Sequence, residues 1–385
     1  MKIAIYALHL GFGGVEKYVV TIANMLSECH DVEIVSTYKI QEKPAFALSE
    51  RVKVRYLLGD LKPNRQELQN CIKQKKFLLL FREIYRALKI LYLKKFRNIQ
   101  ALKEEHSDII ISTRIFHNQL IGKYADKQCI KITGEHNHHN YNQKYIQSVI
   151  SSCKGFDYFI PISKELCDFY EKPMKEMGIE TRYIRFCIDK VETYKTPCFE
   201  KMDLVSVGRL SSEKGTEDLL RVFETVNQEN DKAILHIVGD GPDYNKIVSL
   251  IKEKKLENKV YMHGFQDKQY IYSLLKKTSV YVMTSFTESF GIVLLEAMAC
   301  GIPCIAFDSA QGAHEIIENG VNGYLIEERS VDKMKRQICN LLNDRNELIR
   351  LSQGAYQTAR KFSYENTKKT WLDLMCEIES KRNKI

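Results

Sequence analysis

The sequence predicts an α/β protein made of two doubly wound, Rossmann-like domains of parallel sheet, and three observations carry that reading. Short apolar, β-branched runs alternate with longer amphipathic segments, which is the mark of βαβ units. The alternation occurs twice, as two similar series. At 385 residues the chain exceeds what one hydrophobic core supports. Apolar residues at 44% and charged residues at 28% lie near the globular average, which excludes a disordered or collagen-like chain.

The first series of strands is predicted at 2–7, 32–37, 52–56, 109–112, 129–133 and 158–162. The opening "MKIAIYALHL" has the lysine and apolar run of a signal peptide, but glycines follow at once and no small-residue cleavage site does. It reads as a buried first strand. The second series is predicted at 204–207, 234–238, 260–263, 280–284, 303–307 and 323–326. Between the two lies "FCIDKVETYKTPCFEKM", polar and without a period, which puts the domain boundary near Lys190 to Lys201. The expected division is an N-terminal domain over 1–189, a C-terminal domain over 190–364 and a last helix over 365–385. On that helix Trp371, Leu374, Met375 and Ile378 recur at helical spacing.

The eleven cysteines run from Cys29 to Cys376 without a CxxC pair and read as reduced, buried thiols of a cytosolic protein. Cys300 and Cys304 are four apart, but Gly301 and Pro303 between them make a turn and no second ligand pair accompanies them, which disfavours zinc. No apolar run approaches the roughly 20 residues that span a bilayer.

Doubly wound domains bind ligands at the carboxyl ends of their strands, so two of them facing across a cleft direct attention to the polar residues that follow each strand. "FTESFGIVLLEAMACGIPCIAFD" predicts a loop and then a helix over 292–299, closed by Gly301 with Pro303 beyond it. Glu296 has Ile292, Val293, Ala299 and Cys300 as helical neighbours. A carboxylate buried there costs several kcal/mol unless it meets a protein cation or a ligand's hydroxyls. Glu288 lies in the loop, where the amides near Gly291 and Ile292 are free to bind an anion, or it is simply a solvated loop acid. "DLVSVGRLSSEKGTEDLL" sets Arg209 and Lys214 at a strand's carboxyl end and starts a helix at Thr216. A diphosphate suits such a pair, one a planar fork and one a point charge, although both could be plain surface residues. The glycines of "LHIVGDGPDY" and "VYMHGF" allow a backbone to approach a ligand closely, or serve turns.

In their order and separations, "GRLSSEKG", "VGDGP", "HGF", "ESFGIVLLEAMACGIPCIA" and "EIIENGVNGYLI" resemble the donor-binding domain of retaining glycosyltransferase family 4, of the bacterial surface-polysaccharide type. The likeness is strongest over 204–326. It implies the GT-B fold, two Rossmann-like domains with a C-terminal helix crossing back to the first. Arg209 and Lys214 resemble the pair that neutralises the donor diphosphate, and Glu296 the carboxylate that takes the nucleotide ribose. Glu288 would face the donor sugar, while Phe290, Gly291 and Ile292 would line the phosphate pocket with backbone N–H groups.

In the first half "GGVEKY" resembles the family's GGxE opening, so that Gly13 and Gly14 would let this loop approach donor phosphates and acceptor. A dinucleotide site is disfavoured because the third position of GxGxxG is Glu16. In "IKITGEHNHHNYN", His136 resembles the family's histidine near the sugar. A metal on His136, His138 and His139 is disfavoured, since close neighbours seldom converge on one ion and no fourth ligand is evident. The catalytic set implied is therefore His136, Glu288, Arg209 and Lys214.

The implied function is retaining transfer from a nucleotide-diphosphate sugar, a UDP-sugar by preference, to an acceptor hydroxyl on a glycan or lipid-linked glycan. No DxD motif occurs, so neither metal nor other cofactor is expected. The alternatives are a sugar-nucleotide epimerase of the same architecture and a non-catalytic, membrane-associated nucleotide-sugar-binding protein. The segment from Lys73 to Arg97 holds nine Lys or Arg against one Glu, a net +8 in a chain of +9. Phe77, Phe81, Ile84, Leu88 and Leu91 recur on one face and Arg82, Arg86 and Lys89 on another, the pattern of a helix at an anionic membrane. That apolar face could equally pack into the first domain. Nucleic acid is not expected, because no binding motif accompanies the basic segment. The location expected is cytoplasmic, peripheral at the inner face of the plasma membrane; no oligomeric state is specified.

Overall fold

The computed structural model describes residues 1–59, 61–188 and 193–382. Its strands form two sheets, one in each of two units: Met1–Ile184 with Lys368–Ile385, and Arg185–Thr367. The expected boundary at 189/190 lies outside the described residues. The division falls before Arg185 because Phe186, Cys187 and Ile188 are already buried, and the Ile188 amide donates to the Phe362 carbonyl of the second unit at 3.1 Å.

The first sheet contains β1 (Lys2–Ala7), β2 (Asp31–Ser36), β3 (Lys53–Tyr56), β4 (Ile109–Ser112), β5 (Ile130–Thr133), β6 (Tyr158–Phe159) and β7 (Glu180–Thr181). All pair in parallel, in the order β3-β2-β1-β4-β5-β6-β7. Ile3 faces Val32 on one side and Ile109 on the other. Ile3 to Ala7 are all buried, as a parallel strand with helices on both faces must be. The strand expected over 158–162 is registered only at Tyr158 and Phe159; beyond them the Ile160 and Ile162 amides still donate to the Thr133 and Glu135 carbonyls at 2.6 and 2.9 Å, while Pro161 has no amide to give. β7 is too short to leave a period in the sequence.

The helices of this unit are α1 (Gly14–Leu26), α2 (Arg65–Lys73), α3 (Phe77–Lys103), α4 (Ile115–Tyr124), α5 (Gln143–Ser152) and α6 (Lys164–Glu176). The basic segment is thus not one helix: Lys73 ends α2, a turn with Lys75 at φ 52° follows, and α3 takes the rest.

The second sheet contains β8 (Asp203–Val207), β9 (Ile234–Val238), β10 (Val260–Met262), β11 (Val280–Met283), β12 (Cys304–Phe307) and β13 (Gly323–Ile326). Its order is β10-β9-β8-β11-β12-β13, again wholly parallel. Its helices are α7 (Thr216–Glu229), α8 (Tyr244–Glu253), α9 (Lys268–Leu275), α10 (Ile292–Ala299), α11 (Ala313–Ile316), α12 (Val331–Asn343) and α13 (Arg345–Lys361). Leu204, Phe223, Val280, Ile305 and Met334 belong to one core beneath them. In each sheet the strand order reverses beside the first strand, at β1/β4 and at β8/β11, which opens a crevice at the carboxyl ends.

The last helix, α14 (Tyr364–Arg382), joins the first unit from Lys368 onward. Trp371, Leu374, Met375 and Ile378 are buried on the expected face, the three aliphatic ones contributing about 1.5–3 kcal/mol each. Lys368 meets Glu28 at 3.1 Å and Arg382 meets Asp108 at 2.7 Å. The cysteines correct the expectation of buried thiols. None of the eleven is joined in a disulfide, but only Cys129, Cys153, Cys187, Cys304 and Cys339 are buried, while Cys29, Cys198 and Cys376 are exposed. Cys376 lies about 100° round α14 from buried Met375, which turns it outward. Among the described residues no helix is long and apolar enough to cross a membrane.

Candidate functional site

The reversal at β8/β11 brings together two loops from distant parts of the chain. After β8, the chain runs through Gly208 and Arg209 into a 3-10 turn over Ser212–Lys214, then through Gly215 into α7. After β11, the loop carries Glu288 to Gly291, the N-cap of α10. The crevice between these loops is lined by Gly208, Arg209, Lys214, Thr284, Glu288 and Val293, among others. Lys214 Nζ donates to Glu288 Oε2 at 2.5 Å. Arg209 is exposed, and its guanidinium makes no hydrogen bond within the described residues. The structure therefore gathers Arg209, Lys214 and Glu288 in one place.

Backbone fit holds the loops at this distance. Gly215 has φ 64° and would put a Cβ 2.1 Å from the Thr284 carbonyl, so only glycine lets the two loops touch. Thr284 Oγ1 returns a hydrogen bond to the Gly215 carbonyl at 2.9 Å, and the Phe286 amide donates to the Glu213 carbonyl at 2.9 Å. Tyr281, buried in β11, donates its hydroxyl to the Val207 carbonyl at 3.0 Å and so ties down the end of β8. The glycines of "VGDGP" have a structural role. A Cβ on Gly239 would stand 1.8 Å from the Gly208 carbonyl, and one on Gly241 2.3 Å from the Leu210 carbonyl. They let the loop after β9 lie against the loop after β8.

Phe290 contributes backbone rather than side chain. Its ring is buried between Phe186 and Phe362, with centroids 6.2 and 5.8 Å away, and Gly312 leaves no room for a Cβ beside its Cα. Gly291 turns the chain at φ 87°, and the amides of Ile292 and Val293 open the first turn of α10, where no intrahelical acceptor exists. A helix start beside two cations is a place for an anion.

Glu296 departs from expectation. Its side chain is 14% exposed rather than enclosed, because Ile292, Val293 and Cys300 on the same flank of α10 are themselves only partly buried. It lies one turn beyond Val293 and does not line the crevice. Lys268 Nζ stands 3.9 Å from its Oε1, on a side chain 40% exposed. An ion pair so long and so wet contributes about 0–1 kcal/mol.

Arg329 gave no signal in the sequence. It follows β13, in a segment where Glu328 and Arg329 both have positive φ. Its guanidinium donates to the carbonyls of Thr284 and Ser285 at 2.9 Å each, to Ser309 Oγ at 2.7 Å and to Asp218 at 2.6 Å, and it lies over the Phe286 ring at 3.7 Å. It holds the loop after β11 in place without lining the crevice.

In the first unit, Gly13 and Gly14 precede and open α1. A Cβ on Gly13 would stand 2.1 Å from Glu16 Oε2, whereas Gly14 faces open space. Glu16 is buried and receives Arg114 at 2.7 Å, with His9 Nδ1 3.7 Å away. Arg114, far along the chain, could not be linked to "GGVEKY" by any local pattern. His136 is buried with its ring 4.2 Å from that of Tyr18, and neither ring nitrogen has a hydrogen-bond partner. Burial, aided by the Arg114 charge, pushes its pKa down to about 3, so the imidazole is neutral. His138 turns to Asn140 and Glu165, and His139 packs on Phe169 at 4.1 Å. Among the described residues no three His, Cys, Asp or Glu side chains are grouped to hold a metal ion.

Residues 199–358 match the family model described as Glycosyl transferases group 1. The chain is 32% identical over 189 residues to the poly(glycerol-phosphate) alpha-glucosyltransferase of Bacillus subtilis (strain 168), covering 48% of this chain. It spans only 28% of that relative's length. Among solved structures it is similar to the lipopolysaccharide outer core galactosyltransferase WaaB in its apo form, with TM-score 0.71 and 21% identity over 98% of this chain and 99% of that one. The Anabaena HepE structure in complex with UDP and glucose gives TM-score 0.71 and 18% identity, over 97% and 99% of the two chains. Residues 199–358 thus carry the Glycosyl transferases group 1 pattern, on a chain whose two sheets are those of the GT-B fold.

Proposed function

We propose that the protein is a glycosyltransferase that moves a sugar from a nucleotide-diphosphate sugar, UDP-linked, to a hydroxyl of a lipid-linked surface glycan. The observation that carries this is the meeting of Arg209, Lys214 and Glu288 at the start of α10, in the segment matched by the family model. Two cations and a helix start suit a diphosphate, and a carboxylate beside them suits sugar hydroxyls. The names of the relatives support the reading, one acting on poly(glycerol-phosphate) and another on lipopolysaccharide, and HepE was solved with UDP and glucose.

In this reading the bond between the anomeric carbon and the phosphate oxygen breaks, and Arg209 and Lys214 stabilise the charge left on the diphosphate. The acceptor oxygen joins the anomeric carbon from the same face, and its proton passes to the departing phosphate. The configuration is retained, as in family 4. His136, neutral and unpartnered, can offer the sugar one N–H and one acceptor nitrogen. Glu296 takes the ribose, and the partly open flank of α10 leaves it reachable. No metal is required. The protein works as a peripheral protein on the cytoplasmic face of the membrane. The test is incubation with radiolabelled UDP-sugars and bacterial membrane extract: lipid-extractable label is expected, whereas isomerised nucleotide or unchanged donor would overturn the reading.

A further inference from the structure

Helix α3 buries Glu83, Ile90, Asn98, Ala101 and Leu102 and leaves a row of large apolar residues exposed. Phe77, Leu78, Phe81, Tyr85, Leu88 and Leu91 are all exposed, Leu78 by 90% and Phe81 by 71%. At 100° per residue these six side chains occupy a stripe about 140° wide, with Leu79, also exposed, outside it. The opposite side holds Glu83 and Ile90, both buried, and Asn98 is buried beside the edge of the stripe. Two polar contacts set this rotation: Asn64 donates to Glu83 Oε2 at 2.8 Å, and Asn98 Nδ2 donates to Thr37 Oγ1 at 3.3 Å. So the apolar stripe does not pack into the first unit, and a contiguous apolar surface of this kind calls for a partner.

The helix is also too long for the sheet beside it. Its 27 residues span about 40 Å, whereas strands of four to six residues span about 13–20 Å. Ile90 and Leu93 pack with Leu8, Tyr38 and Leu58, which directly follow or closely trail β1, β2 and β3. The turns from Phe77 to Lys89 therefore extend up to about 20 Å past the residues that pack at the carboxyl edge of the first sheet. Lys73, Lys75, Lys76, Arg82, Lys89 and Lys95 are exposed around them.

We propose that α3 inserts its apolar stripe into the boundary between headgroups and acyl chains of an anionic bilayer, which brings the carboxyl edge of the first sheet against the lipid surface. Charge complementarity selects this partner. The stripe is rimmed by cations that match lipid phosphates, while two copies meeting stripe to stripe would set one +8 segment against another. The inference rests on the sugar-transfer reading only in supplying a reason for the contact, a lipid-borne acceptor.

Flotation with phosphatidylcholine vesicles, with and without phosphatidylglycerol, tests it on the full chain. Wild type is expected to float with the anionic vesicles and to keep much of that binding in high salt. A triple variant Phe77→Ser, Phe81→Ser, Leu88→Ser, whose charge is unchanged, is expected to lose binding at least tenfold with its thermal melt unaltered. Phe81→Trp is expected to shift its emission to the blue on anionic vesicles and to be quenched by brominated acyl chains. Equal binding by the triple variant, or an unquenched Trp, would overturn insertion. A dimer that the triple variant dissociates, without vesicle binding by wild type, would assign the stripe to a second copy instead. Transfer to a soluble acceptor, measured in parallel, separates the two readings: it survives the triple variant if only the membrane contact is lost.

Discussion

The two sheets share one strand order and differ at the edge that order opens. At β8/β11 the charges are accessible: Arg209 is exposed, and the pair of Lys214 and Glu288 lies on the wall of an open crevice. At β1/β4 the carboxylate of Glu16 is buried against Arg114, and the nearby histidine is neutral, buried and without a partner. Topology supplies a crevice in both, but side chains decide its chemistry. The second edge is equipped to take an anion. The first is equipped to hold its own charges still and to offer hydrogen bonds.

Substitutions that remove the difference should have graded effects. The largest is expected at the second edge, where Arg209→Ala or Lys214→Ala should each lower kcat/KM for sugar transfer about 100-fold to 1,000-fold with an unchanged circular dichroism spectrum. Equal rates would mean that the accessible charge does nothing. At the first edge, Arg114→Ala should act on stability instead, costing about 2 kcal/mol in urea unfolding because Glu16 is left buried without its partner. If it lowers only activity, the edges are not distinguished in this way.

Acid should sharpen the contrast. His136 and His117 are both pushed down to about 3 by burial, from an ordinary value of 6.5. Below pH 6.5 the unfolded chain takes up protons that these folded imidazoles refuse, so their contribution to stability is complete above pH 6.5 and is lost as pH falls toward 3. Urea melts at pH 7 and pH 5 should show this loss, and His136→Gln should lessen it. The smallest effect belongs to the wet ion pair: Lys268→Ala should change stability by less than about 1 kcal/mol.

The fold was legible where one physical cause acts locally. Apolar runs betray parallel strands, because helices cover both faces, and Gly301 at φ 74° marks the end of α10. Arg209, Lys214 and Glu288 drew attention because loops after strands in this topology meet at the reversal, and the family resemblance, not the topology, gave each its expected role. What stayed hidden depends on contacts between distant segments. Arg329 and Arg114 hold loops about 45 and 98 residues away in sequence, which no window contains. Glu296 was read as enclosed because a helix apolar all round does not reveal which flank is left uncovered. For α3, periodicity marks the stripe, but only the inward bonds of Glu83 and Asn98 show which way it faces.

The central claim is that the crevice at β8/β11 binds a nucleotide diphosphate through Arg209 and Lys214. Titration calorimetry with UDP and no metal added tests it most directly. Wild type should release heat at one site per chain, and Arg209→Ala and Lys214→Ala should each weaken binding at least tenfold. Binding of equal strength in all three proteins would contradict it.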